Sequence, residues 1–122
     1  MKKIQKKILV VEDEPRLRIL LKKEMEEKGY AALEAGNGDE ALETLKNNRN
    51  IDLVVLDIVL PQRDGMDIFD ILKRDFPSLK VIVSSVYPID EQEFLIWDAD
   101  DYYYKTDDVS VLMNKMAVLL KT

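Results

Sequence analysis

The chain has 122 residues, 47% of them apolar, and a formal charge of −6. That is enough chain for one domain with one core, and the acidic balance argues against a nucleic-acid backbone as partner. It has no cysteine and no histidine, which excludes disulfides, thiolate zinc sites, cysteine nucleophiles and all histidine-based catalysis. Only oxygen ligands remain for a metal, which favours a hard cation such as magnesium.

Lys2, Lys3, Lys6 and Lys7 precede an apolar run that spans only residues 8–11 before Glu12, Asp13 and Glu14. That run is too short for a signal-peptide core, and no other window approaches a membrane span. The expected setting is therefore cytoplasmic and soluble, away from membranes.

In chain order, ILVV (8–11) reads as a first strand. A helix follows, opened by Pro15, closed by Gly29, and carrying Leu17, Leu20, Leu21 and Met25 at helical spacing. AALEA (31–35) is a second, weaker strand, and the turn residues GNGD lead into a helix with Ala41, Leu42 and Leu45 on one face. IDLVVLD (51–57) is apolar and largely β-branched apart from Asp52, the composition of a strand buried on both faces, yet it ends on the carboxylate of Asp57. MDIFDILKRDF (66–76) places Ile68, Phe69, Leu72 and Phe76 on one side of a third helix, which Pro77 stops. KVIVSS (80–85) is the fourth strand, and DEQEFLIW (90–97) predicts a helix of about two turns. DYYYK (101–105) is the fifth strand, and residues 109–120 form a closing helix capped by Asp107 or Asp108.

Five βα units in succession specify an α/β fold, a doubly wound five-stranded parallel sheet with helices on both faces. In such folds the functional crevice lies beyond the C-terminal strand ends. Strand one delivers Glu12 and Asp13 to that edge, strand three Asp57, strand four Ser84 and Ser85, and strand five Lys105. Strand alternation lets only one of the two serines face the site, and the spacing from Asp57 favours Ser85. Three carboxylates at one edge repel each other unless a cation joins them, and magnesium is commonly held by one or two carboxylates together with phosphate oxygens. A carboxylate beside magnesium, flanked by a hydroxyl and a lysine, is a reasonable phosphoryl acceptor.

The motifs ILVVEDEP, VVLDIVLPQRDG, VIVSS and DYYYK, taken in that order, resemble the receiver domain of two-component response regulators. The resemblance extends over about Lys7 to Leu120, so residues 1–122 read as a single receiver domain with no output domain. It implies a flavodoxin-like topology with strand order 2-1-3-4-5. It makes Asp57 the phospho-accepting residue, supplied by a phosphohistidine on a sensor histidine kinase or a histidine phosphotransfer protein. Asp13 and Asp57 would be magnesium ligands, with Glu12 acting through a water and the backbone carbonyl of Val59 completing the protein's share. Ser85 and Lys105 would bind the phosphoryl group, and Tyr102 would rotate inward as Ser85 shifts. A downstream protein would be engaged through the face formed by the 90–97 helix, the fifth strand and the closing helix, and a homodimer on phosphorylation also fits the resemblance. Such a protein phosphorylates and dephosphorylates itself rather than turning over a substrate.

The sequence also departs from the family pattern. Thr106 follows Lys105 where the family usually has a proline after a cis bond. A cis bond before a non-proline residue costs about 2.5 to 4 kcal/mol, so a trans bond is expected here. Glu12 stands for the commoner aspartate, and Asp98 for the glycine that usually ends the fourth helix. These changes motivate an alternative, a degenerate receiver that acts as a phosphate-independent protein-interaction module. A flavin-binding domain would instead want a glycine- or serine/threonine-rich loop after strand one, where this chain has EDE. An aspartate-nucleophile phosphatase would want an aspartate at position 59.

Val59 and Tyr87 stand two residues beyond Asp57 and Ser85, positions that in similar domains flank the path of the attacking water. Neither side chain carries an amide or carboxylate to orient that water. The phosphoryl group is therefore expected to outlive that of a Val59→Asn, Tyr87→Glu variant when phosphate loss is followed by intact mass. Equal lifetimes would remove these two residues from any tuning role.

Overall fold

The computed structural model describes residues 5–58, 65–86 and 98–121. Within them the chain alternates β1 (Lys7–Val11), α1 (Pro15–Glu27), β2 (Ala31–Ala35), α2 (Gly38–Asn47), β3 (Leu53–Asp57), α3 (Gly65–Asp75), β4 (Lys80–Ser85), β5 (Asp101–Tyr104) and α4 (Val109–Leu120). All five strands pair in parallel in the order β2-β1-β3-β4-β5, as the resemblance implied. The order reverses between β1 and β3, so the crevice beyond their C-terminal ends is flanked by the residues that follow Val11 and Leu56.

Local chemistry explains the starts of α1, α2 and α4. Pro15 fills the first turn of α1, where its missing N–H costs nothing, and the Glu14 carboxylate accepts from the Leu17 N–H at 2.7 Å. Asn37 caps α2 through the Glu40 N–H at 2.9 Å, and Asp39 and Glu40 in the first turn with Lys46 in the last suit the helix dipole. Of the two candidate caps for the closing helix, Asp108 takes the role, accepting from the Ser110 N–H at 2.8 Å. Gly29 ends α1 with φ +93°, a conformation that disfavours a side chain.

Two apolar layers flank the sheet. On one face Leu9, Val54, Leu56, Val81 and Val83 pack with Ala41 and Leu45 of α2 and Ile68, Phe69 and Leu72 of α3. On the other, Ile8, Val10, Leu53, Val55 and Ile82 pack with Leu21 and Met25 of α1 and Leu112, Met113 and Met116 of α4. Every residue of β3 is buried, so this strand is the rigid mount on which Asp57 stands.

Several boundaries differ from those expected of the sequence, β3 among them, which begins at Leu53 and not at Ile51. β5 ends at Tyr104, so Lys105 belongs to the following turn. α3 ends at Asp75, and Phe76, expected on its apolar side, follows the helix and packs half-buried against the same cluster. β1 begins at Lys7 instead of Ile8 because the Lys7 N–H is held by the Asp52 carboxylate at 2.8 Å. The helix expected at 90–97, with Phe94 and Trp97, lies outside the described residues.

Asp98 has φ +54°, the left-handed geometry that glycine adopts most easily. Asp98→Gly is expected to stabilise the chain by about 0.5 to 1 kcal/mol in urea unfolding, whereas Asp98→Ala, which keeps the Cβ, should give no gain.

Candidate functional site

The C-terminal sheet edge collects the expected residues from four separated parts of the chain. Glu12 follows β1 directly and is tied to β2 by its N–H on the Ala35 carbonyl at 3.0 Å, while its own carbonyl accepts from Arg18 Nη1 at 2.8 Å. Asp57 is the last residue of β3 and is paired in register with Ser84 of β4. Both acids are 2% exposed, and Asp13 between them and solvent is exposed. A carboxylate oxygen from each of Glu12, Asp13 and Asp57 lies within 4.8 Å of the others.

Lys105 enters this cluster from the turn after β5. Its N–H extends the sheet by donating to the Ser85 carbonyl at 2.8 Å. Its Nζ stands 2.6 Å from Glu12 Oε1 and 2.9 Å from Asp57 Oδ2. The Lys105–Thr106 bond is trans, as the missing proline led us to expect, and the side chain still reaches the site.

Electrostatics show why a second cation belongs here. Burial pushes the Glu12 carboxyl above its usual range, with the Asp57 charge adding to the effect. The hydrogen bonds from Lys105 and the Glu14 N–H oppose it without cancelling it. Burial alone would lower the Lys105 ammonium, but its bonds to Glu12 and Asp57 outweigh that and raise it, so the amine stays charged throughout the neutral range. Both groups therefore favour their protonated forms on folding. Their contribution is largest below their ordinary pKa values and fades as pH rises through the raised ones. Two buried carboxylate oxygens no more than 4.8 Å apart repel by at least about 3.5 kcal/mol at an effective dielectric of about 20. Among the described residues one ammonium faces three carboxylates, a set of hard oxygen donors that fits magnesium.

With this arrangement in hand, comparison with known proteins is decisive: the description of the response regulator receiver domain matches residues 8–117. The chain belongs to this family. Receivers are the phosphorylation-controlled modules of two-component signalling. The chain is 36% identical over 105 residues to the alkaline phosphatase synthesis transcriptional regulatory protein PhoP of Bacillus subtilis, covering 84% of this chain and 43% of that protein. It is 36% identical over 84 residues to sporulation initiation phosphotransferase F of the same organism, covering 69% and 67% of the two chains. The receiver thus spans about half the length of several curated relatives it matches. Among solved structures, the response regulator TrrA of Thermotoga maritima, in complex with Mg2+–BeF, is 36% identical with a TM-score of 0.85, over 94% of this chain and 99% of that one.

The receiver's remaining expected residues are placed as follows. Ser85, 1% exposed, closes β4 one residue beyond the Asp57 level, with Ser84 at 3% beside Asp57 itself. Tyr102 is buried at 9% on the α2–α3 side, its ring edge-on to Tyr104 at 4.5 Å. Strand alternation leads one to expect at least one of these two rings at the surface. Tyr102 is buried, and Tyr104, half-buried against the same cluster, is the one that keeps some surface exposure. Val59 and Tyr87 lie outside the described residues. Among the described residues, no helix is long and apolar enough to cross a membrane.

Two features carry no signal in the sequence. Glu12, longer by one methylene than the commoner aspartate, has its carboxylate on Lys105 at 2.6 Å. Gly65, inside the quoted VVLDIVLPQRDG motif, packs so closely on the Ile58 backbone that it has no room for a side chain.

Magnesium at about ten times its dissociation constant is expected to add about 1.4 kcal/mol of stability, or roughly 5 °C in melting temperature. Asp13→Asn should remove most of that shift, since Asp13 is exposed and its carboxylate is a candidate ligand that can be changed with little loss of packing. An undiminished shift in that variant would place the ion elsewhere.

Proposed function

We propose that this receiver stores a signal as an acyl phosphate on Asp57, taken from a phosphohistidine of a sensor histidine kinase or histidine phosphotransfer protein. The observation that carries this reading is a buried carboxylate at the crevice, 2.9 Å from the Lys105 ammonium and beside Glu12 and Asp13. None of these 122 residues is a histidine, so the donor histidine lies outside them.

An Asp57 carboxylate oxygen attacks phosphorus as the phosphorus–nitrogen bond of the donor breaks, and the departing imidazole takes that electron pair and a proton from solvent. Asp13 and Asp57 would hold magnesium directly, Glu12 through a water, and the Val59 carbonyl would add the last protein ligand. When bound, the ion neutralises charge on the transferring oxygens. Lys105, already positioned within hydrogen-bond reach of Asp57, supports a second oxygen of the group. Ser85 binds the third through its hydroxyl. The new charge and acceptor oxygens draw Ser85 and Lys105 away from their unphosphorylated arrangement. Tyr102, two residues before the end of β5, follows that change and alters the surface of β5, α4 and the 90–97 segment, where a downstream protein docks.

Incubation with magnesium and phosphoramidate, followed by intact mass, tests this reading. The expected product gains the mass of one phosphoryl group and loses it in alkaline hydroxylamine, as an acyl phosphate does. No gain, or a hydroxylamine-stable one, would favour the phosphate-independent interaction module instead.

A further inference from the structure

We infer that the Tyr103 hydroxyl is a positioning group for Lys105, holding by one hydrogen bond the turn that proline shapes elsewhere in the family. This rests on the role of Lys105 proposed above.

The turn is built from few parts. Lys105 N–H is fastened to the Ser85 carbonyl at 2.8 Å, and the chain then reverses, with the Asp107 N–H on the Tyr104 carbonyl at 3.0 Å. Lys105 and Thr106 are the two central residues of that four-residue turn, so the direction of the Lys105 side chain depends on the turn's shape. A proline at 106 would have fixed one backbone torsion there, and threonine does not. The structure supplies a different restraint. Tyr103 points to the opposite face of the sheet from Tyr102, and its ring, 2% exposed, packs with Leu112, Met113 and Met116 of α4. From that anchor its hydroxyl donates to the Asp107 carbonyl at 2.8 Å. That bond ties the last residue of the turn to the buried layer beneath it.

The ring can act as a ruler because it is fixed at both ends. Its body is wedged between β5 and α4, and its tip sets the distance from the sheet to the residue just before the Asp108 cap. Burial, with the charges of Asp107 and Asp108, pushes the hydroxyl's titration up, so it remains a donor at all working pH values. At the far end of the chain of contacts, Lys105 Nζ fits between Glu12 Oε1 and Asp57 Oδ2 at 2.6 and 2.9 Å. A small rotation of the turn would spoil that fit, and misplacement by about 1 Å can cost up to about 100-fold in rate.

The test compares wild type, Tyr103→Phe, Lys105→Met and the double variant, each as the full chain with magnesium and phosphoramidate. Phenylalanine keeps the ring and its packing and loses only the hydroxyl. Tyr103→Phe is expected to slow phosphoryl incorporation about five-fold, the effect of one net hydrogen bond on a positioned group. Lys105→Met should slow it more, and the double variant should be no slower than Lys105→Met alone, because the hydroxyl acts only through the lysine. In the fluorine spectrum of the beryllofluoride complex, Tyr103→Phe should move the same resonance that Lys105→Met moves most. A wild-type rate and spectrum for Tyr103→Phe would overturn the inference, as would a double variant in which the two losses multiply. If Lys105→Met itself proved as fast as wild type, the proposed role of Lys105 would be what failed.

Discussion

Asp57→Asn is expected to take up no phosphoryl group, with incorporation from phosphoramidate falling by at least about 10^3-fold, the scale seen when a covalent nucleophile is removed. The asparagine fits the same buried space at the end of β3, so the sheet and its five-strand order should survive. The amide cannot supply the anionic oxygen that attacks phosphorus. The substitution also removes one of the three clustered carboxylates, so the melting shift caused by magnesium should shrink in the same variant. Lys105 keeps Glu12 as a partner at 2.6 Å, which prevents an unpaired buried ammonium. Intact mass and a melting curve with and without magnesium check both parts. Labelling of the variant at the wild-type rate would mean that another residue is the acceptor.

Gly65→Ala is expected to be strongly destabilising for the addition of a single methyl group. A Cβ at Gly65 would stand 2.5 Å from both the Cα and the carbonyl oxygen of Ile58 and 2.7 Å from its carbonyl carbon. All three are backbone atoms, so no side-chain rotation relieves the clash. Gly65 N–H also donates to that same Ile58 carbonyl at 3.1 Å, joining the start of α3 to the residue after Asp57. Moving one therefore moves the other. Overpacking of this kind costs about 2 to 3 kcal/mol, and for a chain of this size that is roughly 10 °C in melting temperature. The same displacement should raise the magnesium concentration needed for half-saturation, because Asp57 is carried on the shifted strand end. A variant with wild-type melting and wild-type magnesium response would show that the loop yields freely.

Which of these features the sequence announces follows from the range of the interaction. Buried strands such as 53–57 and amphipathic helices such as α3 are written in local periodicity, and all five strands were found where their apolar runs stand. Asp57 was legible because a carboxylate ending an apolar run is locally anomalous. The pairing of Glu12 with Lys105 was not, since it joins residues 93 positions apart and depends on how far one methylene reaches. Asp52, the one charge inside the third strand's apolar run, has a structural role, because its carboxylate holds the Lys7 N–H and pins β1 to β3. Asp100 does the same for β4 through the Val81 N–H at 2.8 Å. Gly65 and the Tyr103 hydroxyl escaped for a related reason, because close backbone approach and a single bond across a turn leave no periodic trace. The trans bond after Lys105 was foreseeable because it follows from the torsions open to one residue, whereas the left-handed Asp98 runs against them and was signalled only by the glycine usual at that place.

The central claim is that Asp57, with magnesium, is the site of a phosphoryl switch that reaches Tyr102 and α4. Fluorine NMR of the chain with magnesium and beryllofluoride, beside an Asp57→Ala control, tests it most directly. Bound fluorine signals that require both magnesium and Asp57 are expected, accompanied by amide shifts that extend to Tyr102 and α4. Absence of bound signals, or signals that persist in Asp57→Ala, would contradict it.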